Sequence, residues 1–280
     1  MKEVKNNKKK GFLKKYFIKL CRIIGFEIID QSDFSFPVSD KKSEDNFSTL
    51  GKNSLVVPLG KVDISRPVKS LNIIIKTCTT VNLVTQNKKR IFEKDKSEYT
   101  FRTINSLIKS LKFSQDILSK INMKVTVIDH NSKREDLSEI KSKLELSGLN
   151  YKIINLDLNE FSNIQVLEKN NKVIENNMKS TMSSILKSFH VAKEESEDLV
   201  YFVEDDYIHK KDSICEMVFA YERFASIANK ELFLCPVDYP YLYKKNELTN
   251  IAIGNKYHWR KVEESLLTFM TSKKMIYKYW

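Results

Sequence analysis

The chain has 280 residues and a net charge of +12, with 41% hydrophobic and 11% aromatic side chains, enough apolar material for one large core or two small ones. The charge is unevenly placed: residues 1–22 carry nine Lys/Arg against Glu3 alone, a net +8, so residues 23–280 hold only +4 and no nucleic-acid partner is expected. Six glycines form neither G-x-G-x-x-G nor G-x-x-x-x-G-K-[ST], which argues against a glycine-built phosphate loop.

Residues 12–24 read as an amphipathic helix. Leu13, Phe17, Leu20 and Ile24 recur at helical spacing, Phe12, Tyr16 and Ile23 widen the face, and lysines fill the other side. Such a helix either lies on an anionic membrane surface or packs on its own domain with a solvated basic face. Gly25 is placed to cap it. No apolar run reaches the roughly 18 residues of a spanning helix. Lys14, Lys15, Lys19 and Arg22 interrupt what would be a signal peptide. Cys21, Cys78, Cys215 and Cys235 form no C-x-x-C pair and read as reduced thiols, so a cytoplasmic location is expected, peripheral on the inner face of a membrane if the helix binds one. The expected organisation is a basic helical segment over 1–28, an extended tether over 29–69 rich in Ser, Asp, Lys and Asn, and one domain over 70–280.

Within that domain strands and helices alternate. Leu71–Ile75 is a strand, 99–121 a helix, Lys124–Asp129 a strand and Asp136–Gly148 a helix. Tyr151–Leu156 is a strand, 176–194 a helix and Leu199–Val203 a strand. A helix over 212–229 precedes strands at Leu232–Val237 and Ser265–Met270. This cadence predicts an α/β fold with a mostly parallel sheet flanked by helices, in which ligands bind beyond the carboxyl ends of strands. Thr77, Asp129, Glu204/Asp206 and Asp238 would gather at that edge.

The sharpest feature is the strand Leu199–Val203 running into Glu204-Asp205-Asp206. Three like charges at the low-dielectric end of a strand repel, and a hard divalent cation such as Mn²⁺ or Mg²⁺, completing its shell with phosphate oxygens, would remove the cost. Alternation along an extended segment puts Glu204 and Asp206, the candidate metal ligands, on one side and Asp205 on the other. The bland reading is a solvated acidic turn. Asp129 could accept hydrogen bonds from a base or ribose, or merely cap a turn. Thr77 could contact a base or phosphate, or only cap its loop. Arg90 and Arg102 could pair with a diphosphate, or be surface residues.

These residues resemble nucleotide-sugar glycosyltransferases of the GT-A (Rossmann-like) fold, particularly bacterial family 2-type members, over about residues 70–275. The resemblance rests on Asn72–Thr77 followed by Tyr99–Leu107, on the strand ending at Asp129, and on Glu204-Asp205-Asp206, which is similar to the family's D-x-D element. Val237–Pro240, His258-Trp259-Arg260 and Leu267–Met270 are similar to an acceptor-side portion. The resemblance implies a metal-dependent transferase that moves a sugar from a nucleotide-diphosphate donor to a glycan or lipid-linked acceptor in surface polysaccharide assembly. Asp129, Asp205, Thr77, Arg90 and Arg102 would lie on the donor side. In inverting members a carboxylate is the base, for which Asp238, Glu263 and Glu264 are candidates. His258 could bind metal or phosphate, or be structural. Trp259 could stack on a sugar or pack in the core. The competing expectation is a non-catalytic nucleotide-sugar-binding or scaffold protein at the membrane. A nucleotidyltransferase would want a glycine- and basic-rich loop after the first strand, and 77–82 has none.

Overall fold

A computed structural model of the chain describes residues 12–26, 62–80, 94–164, 172–237, 239 and 249–280. Contacts divide the chain into two units, Met1–Ser39 and Asp40–Trp280. The first contains helix α1 (Phe12–Ile23), which ends where Gly25 takes φ +87° and the Phe26 N–H closes on the Cys21 carbonyl at 2.8 Å. That is the expected glycine stop.

The second unit is α/β. In chain order its elements are β1 (Ser70–Thr77), α2 (Lys96–Ile117), β2 (Asn122–Asp129), α3 (Arg134–Ser147), β3 (Asn150–Asn155), α4 (Lys172–Glu195), β4 (Leu199–Glu204) and α5 (Ser213–Ala228). Then come β5 (Phe233–Leu234), β6 (Ile251–Ile253), β7 (His258–Arg260), β8 (Phe269–Ser272) and α6 (Lys273–Tyr279). A 3₁₀ turn at Leu158–Phe161 follows β3. The main sheet has the order β3-β2-β1-β4-β8-β5, and β6 and β7 form a separate hairpin. The first four strands are parallel, and β8 runs antiparallel to both β4 and β5.

Strand alternation sorts the core into two layers. Ile73, Ile75, Val125, Val127, Leu199, Tyr201 and Val203 face α2, α3 and α5. Ile74, Ile128, Val200 and Phe202 face α4 and α6. Strands buried on both faces read as continuous apolar runs, which is why β1, β2 and β4 stand out in the sequence. Asn72, inside β1, is satisfied by Thr126 and Ser196 at 3.0 and 2.9 Å.

Two strands differ from expectation, and three further elements are new. The strand expected at Leu232–Val237 is only Phe233–Leu234: the Leu232 carbonyl accepts from the Thr271 hydroxyl at 2.7 Å, and Pro236 lacks the N–H a longer ladder would use. The strand expected at Ser265–Met270 is displaced to Phe269–Ser272, in register with Phe202 to Leu199. The hairpin β6–β7 and helix α6 were not anticipated at all.

The segment before β1 is fastened to the amino-terminal edge of the sheet. Arg66 reaches Glu231 through Nε and Nη2 at 3.0 and 3.1 Å, and Asp198 through Nη2 and Nη1 at 2.5 and 3.1 Å. The Ser65 and Arg66 N–H groups both donate to the Ser226 hydroxyl. The Val68 N–H donates to Glu222 and the Lys69 N–H to Asp198. Burial alone would raise the Glu231 carboxyl, but hydrogen bonds from Arg66, Tyr221 and Ser272 bring it to about 2. Arg66→Ala would strand two partly buried carboxylates, so a loss of about 3 kcal/mol is expected in urea unfolding at neutral pH. Protonating those carboxylates in acid would shrink the deficit.

Candidate functional site

The parallel register sets Thr77 beside Asp129 and Lys76 beside Glu204, so β1, β2 and β4 finish at one edge. There the Thr77 hydroxyl donates to Asp129 Oδ1 at 2.6 Å, the Ser132 hydroxyl donates to the same oxygen at 2.5 Å, and the Ser132 N–H approaches Oδ2 at 3.3 Å. Asp129 is only 4% exposed. The loop after β1 is further stitched to the loop after β2. The Thr79 N–H donates to the Ser132 hydroxyl, the Lys133 N–H to the Thr79 hydroxyl, and the Thr80 hydroxyl to the Asn131 carbonyl. Asn131 makes this turn at φ +59°, in the left-handed region that Asn tolerates. Thr77 and Asp129 thus hold the two loops together, leaving little of the Asp129 carboxylate at the surface.

The acidic triplet is split across the sheet. Asp205 turns to the α2 side, where Lys96 Nζ meets Oδ1 at 2.5 Å and the Thr100 hydroxyl donates to Oδ2 at 2.8 Å. Glu204 is half-buried, its N–H 3.3 Å from the Thr268 hydroxyl, and its Oε1 lies 3.7 Å from Lys76 Nζ. Asp206 is exposed. Burial, with Asp206 and Asp205 adding to it, raises the Glu204 carboxyl against the opposing pull of Lys76. Burial lowers the Lys76 ammonium, opposed first by Glu204. Both partners are therefore displaced toward their neutral forms.

Hard cations of the Mg²⁺ type commonly take one or two carboxylates and fill the rest of the shell with water and substrate phosphates. Glu204 and Asp206 have that donor chemistry, and the burial that raises Glu204, with the neighbouring carboxylates adding to it, is a cost that added positive charge relieves. Among the described residues no group of three His, Cys, Asp or Glu is gathered around a metal position. A cation at Glu204 and Asp206 would have to complete its shell with donors from outside these residues.

Beyond the triplet the chain is pinned from several directions. The Tyr207 hydroxyl meets that of Tyr239 at 3.0 Å, and the His209 N–H donates to the Ser106 hydroxyl at 3.0 Å. His209 Nε2 lies 3.0 Å from the buried Tyr201 hydroxyl, and burial lowers the imidazole to about 4. A cleft of about 1100 Å³ opens beside this loop, lined among others by Tyr207, His209, Trp259, Glu263, Glu264 and Leu267.

One wall of the cleft is the β6–β7 hairpin, held by the buried Glu216 of α5. Glu216 accepts from the N–H groups of Asn255, Lys256 and Tyr257 at 3.0, 2.7 and 3.4 Å, and from the Trp259 indole at 3.0 Å. Gly254 makes room for this latch, since a Cβ there would sit 2.1 Å from Glu216 Oε1. Trp259 also packs edge-on to Phe224, with centroids 6.4 Å apart. Core packing is thus the reading of Trp259 that its contacts favour. His258 is exposed at the cleft, and Arg260, also lining it, is half-buried.

Glu263 and Glu264 are exposed on the cleft rim. Arg102 pairs with Glu98 one turn away on α2, at 3.1 Å. Asp238 and Arg90 lie outside the described residues. Sequence reasoning missed Lys76, Lys96, Thr100 and Ser132. The only available signal for Lys76 was a charged residue continuing the Ile73-Ile74-Ile75 run at the parity of Ile74, the side of the sheet that Glu204 shares.

No family model and no curated protein matches the chain. Among solved structures, residues 1–349 of S. aureus TarS match with 16% identity and a TM-score of 0.38, over 75% of this chain and 48% of that one. LgtC, described as a galactosyltransferase in complex with donor and acceptor sugar analogues, matches with 10% identity and a TM-score of 0.27, over 48% of this chain and 37% of that one. The chain thus spans about half the length of the TarS structure. Likeness of this degree carries no argument about chemistry, which rests on the site itself.

The buried imidazole gives the loop a pH signature. Unfolded His209 takes up a proton near 6.5, whereas in the fold it resists until about 4. Its contribution to stability is therefore fully present above pH 6.5 and falls, by at most about 3 kcal/mol, as pH drops to 4. His209→Gln keeps a partner for Tyr201 and removes this titration. The stability gap between wild type and variant, read from urea midpoints, should shift in the variant's favour between pH 7.5 and 4.5.

Proposed function

We propose that this chain is a metal-dependent glycosyltransferase that moves a sugar from a nucleotide-diphosphate donor to a glycan or lipid-linked acceptor, in surface polysaccharide assembly. The observation that carries the reading is the split triplet at the carboxyl end of β4. Asp205 is fixed to α2, and this leaves Glu204, with Lys76 beside it, and the exposed Asp206 available to a ligand. A donor's diphosphate is the ligand whose charge matches a Lys and a carboxylate-bound cation together.

Mn²⁺ or Mg²⁺ held by Glu204 and Asp206 would act as the Lewis acid on the departing diphosphate. Lys76, whose ammonium is disfavoured by burial, would regain its charge beside an incoming diphosphate at the same edge. The stitched loops at Thr77, Asp129 and Ser132 give the donor a rigid rim, a requirement for positioning. The acceptor enters by the cleft, where Glu263 or Glu264 would take its hydroxyl proton if within hydrogen-bond reach, as would Asp238.

A second reading, a non-catalytic nucleotide-sugar-binding scaffold, is favoured by one observation. The protein's own Lys96 and Lys76 already pair with Asp205 and Glu204. Release of free sugar or nucleoside diphosphate from a labelled donor decides between the two.

Titration calorimetry with UDP or GDP should show binding that requires Mn²⁺ and tightens as pH rises through the raised Glu204 titration, because the deprotonated carboxylate is the ligand. Asp206→Asn should weaken that binding about tenfold or more, which is at least about 1.4 kcal/mol. Lys76→Met should weaken nucleotide binding by a similar factor while leaving the fold intact by circular dichroism. Absence of metal-dependent binding across a panel of nucleotide sugars would refute the proposal.

A further inference from the structure

The apolar face of α1 is largely exposed over its described side chains. Tyr16, Phe17, Leu20, Ile23 and Ile24 are each more than half exposed, as is Phe26 just beyond the helix. At 100° per residue these five positions of the helical turn fall within one continuous sector. Among the described side chains of the helix the less exposed apolar ones are Cys21, which flanks this sector, and Ile18, which lies opposite it. Around this face the chain is strongly basic: residues 1–26 hold nine Lys/Arg against one acid, while the other 254 residues are nearly balanced.

We propose that α1 lies in the interfacial plane of an anionic lipid bilayer, with Tyr16, Phe17, Leu20, Ile23 and Ile24 in the acyl boundary and its lysines against the headgroups. An apolar sector alone would fit many occupants. The net +8 that accompanies it selects an anionic, extended one, and a bilayer surface offers apolar depth and negative charge side by side. The helix is 12 residues long, about 18 Å, against a hydrocarbon core of about 30 Å, so it lies on the membrane rather than crossing it. No helix among the described residues is long and apolar enough to span. The inference stands apart from the sugar-transfer reading and would bring an acceptor carried on a lipid within reach of the chain.

The test uses the full-length protein in cosedimentation with phosphatidylcholine vesicles, with and without phosphatidylglycerol. Binding should require phosphatidylglycerol. It should weaken as salt rises from about 0.1 M to about 1 M, which shortens the screening length from about 10 Å to about 3 Å. Phe17→Ser/Leu20→Ser/Ile24→Ser removes no charge and no buried side chain, and should lower vesicle binding at least about tenfold. Undiminished binding of that variant would overturn the proposal, since charge alone would then suffice. Equal binding to neutral vesicles would overturn it too, as would a self-associated species in solution that the triple variant abolishes, which would make a second copy the occupant. Metal-dependent nucleotide binding, measured without vesicles, should be the same in wild type and variant. A failure of the donor site is thereby separable from a failure of the membrane helix.

Discussion

The organisation of the candidate site depends on one electrostatic constraint: three consecutive carboxylates at the end of a buried strand cannot all occupy the same space. Strand alternation resolves it by sending Asp205 to the α2 side and Glu204 to the other, and a lysine waits on each side. Lys96, with Thr100, neutralises Asp205 at hydrogen-bond distance. Lys76 stands further from Glu204, at 3.7 Å, and does not fully offset its burial. One carboxylate is thus spent on structure, and the strain is concentrated on the pair beside Lys76. A site is left with unresolved charge at the sheet edge where α/β folds hold their ligands.

The wall opposite is built by the reverse device. Glu216 is a buried carboxylate satisfied by four N–H groups of a hairpin whose Ala252 and Trp259 also pack on the core. Backbone dipoles do there what ammonium groups do at the triplet. The consequence is a hairpin whose position is tied to α5 rather than to the sheet, and a cleft whose two sides answer to different parts of the core.

How far the sequence revealed this depends on where the information lay. The strands β1, β2 and β4 were legible because runs such as Asn72–Ile75 and Leu199–Val203 are buried on both faces and need no partner to be recognised. The parting of Glu204 from Asp205 was legible from the two-residue period; the chain turns after Glu204, so that period does not reach Asp206. The lysine partners were not legible: Lys96 precedes the expected start of its helix, and Lys76 meets Glu204 only through the register of two strands far apart in sequence. The hairpin was illegible because His258-Trp259-Arg260 has no strand-like composition, and its order comes from Glu216, more than 40 positions away. For Trp259 the sequence left stacking and packing open; the indole's hydrogen bond to Glu216 could only be seen in three dimensions. Ser265–Met270 was misplaced because its apolar residues fit a strand equally well in either frame, and pairing with β4 selects the later one.

The Arg66 clamp has a mechanical consequence. The chain enters the domain at the amino-terminal edge of the sheet, the edge away from Glu204 and Asp129, and there a single guanidinium grips two carboxylates on two different segments while Ser226 and Glu222 hold the neighbouring backbone. A pull transmitted along the preceding segment meets these bonds first and in parallel, before any reaches β1. Tension would be absorbed at the base of the sheet, and the loops at its other end would keep their spacing.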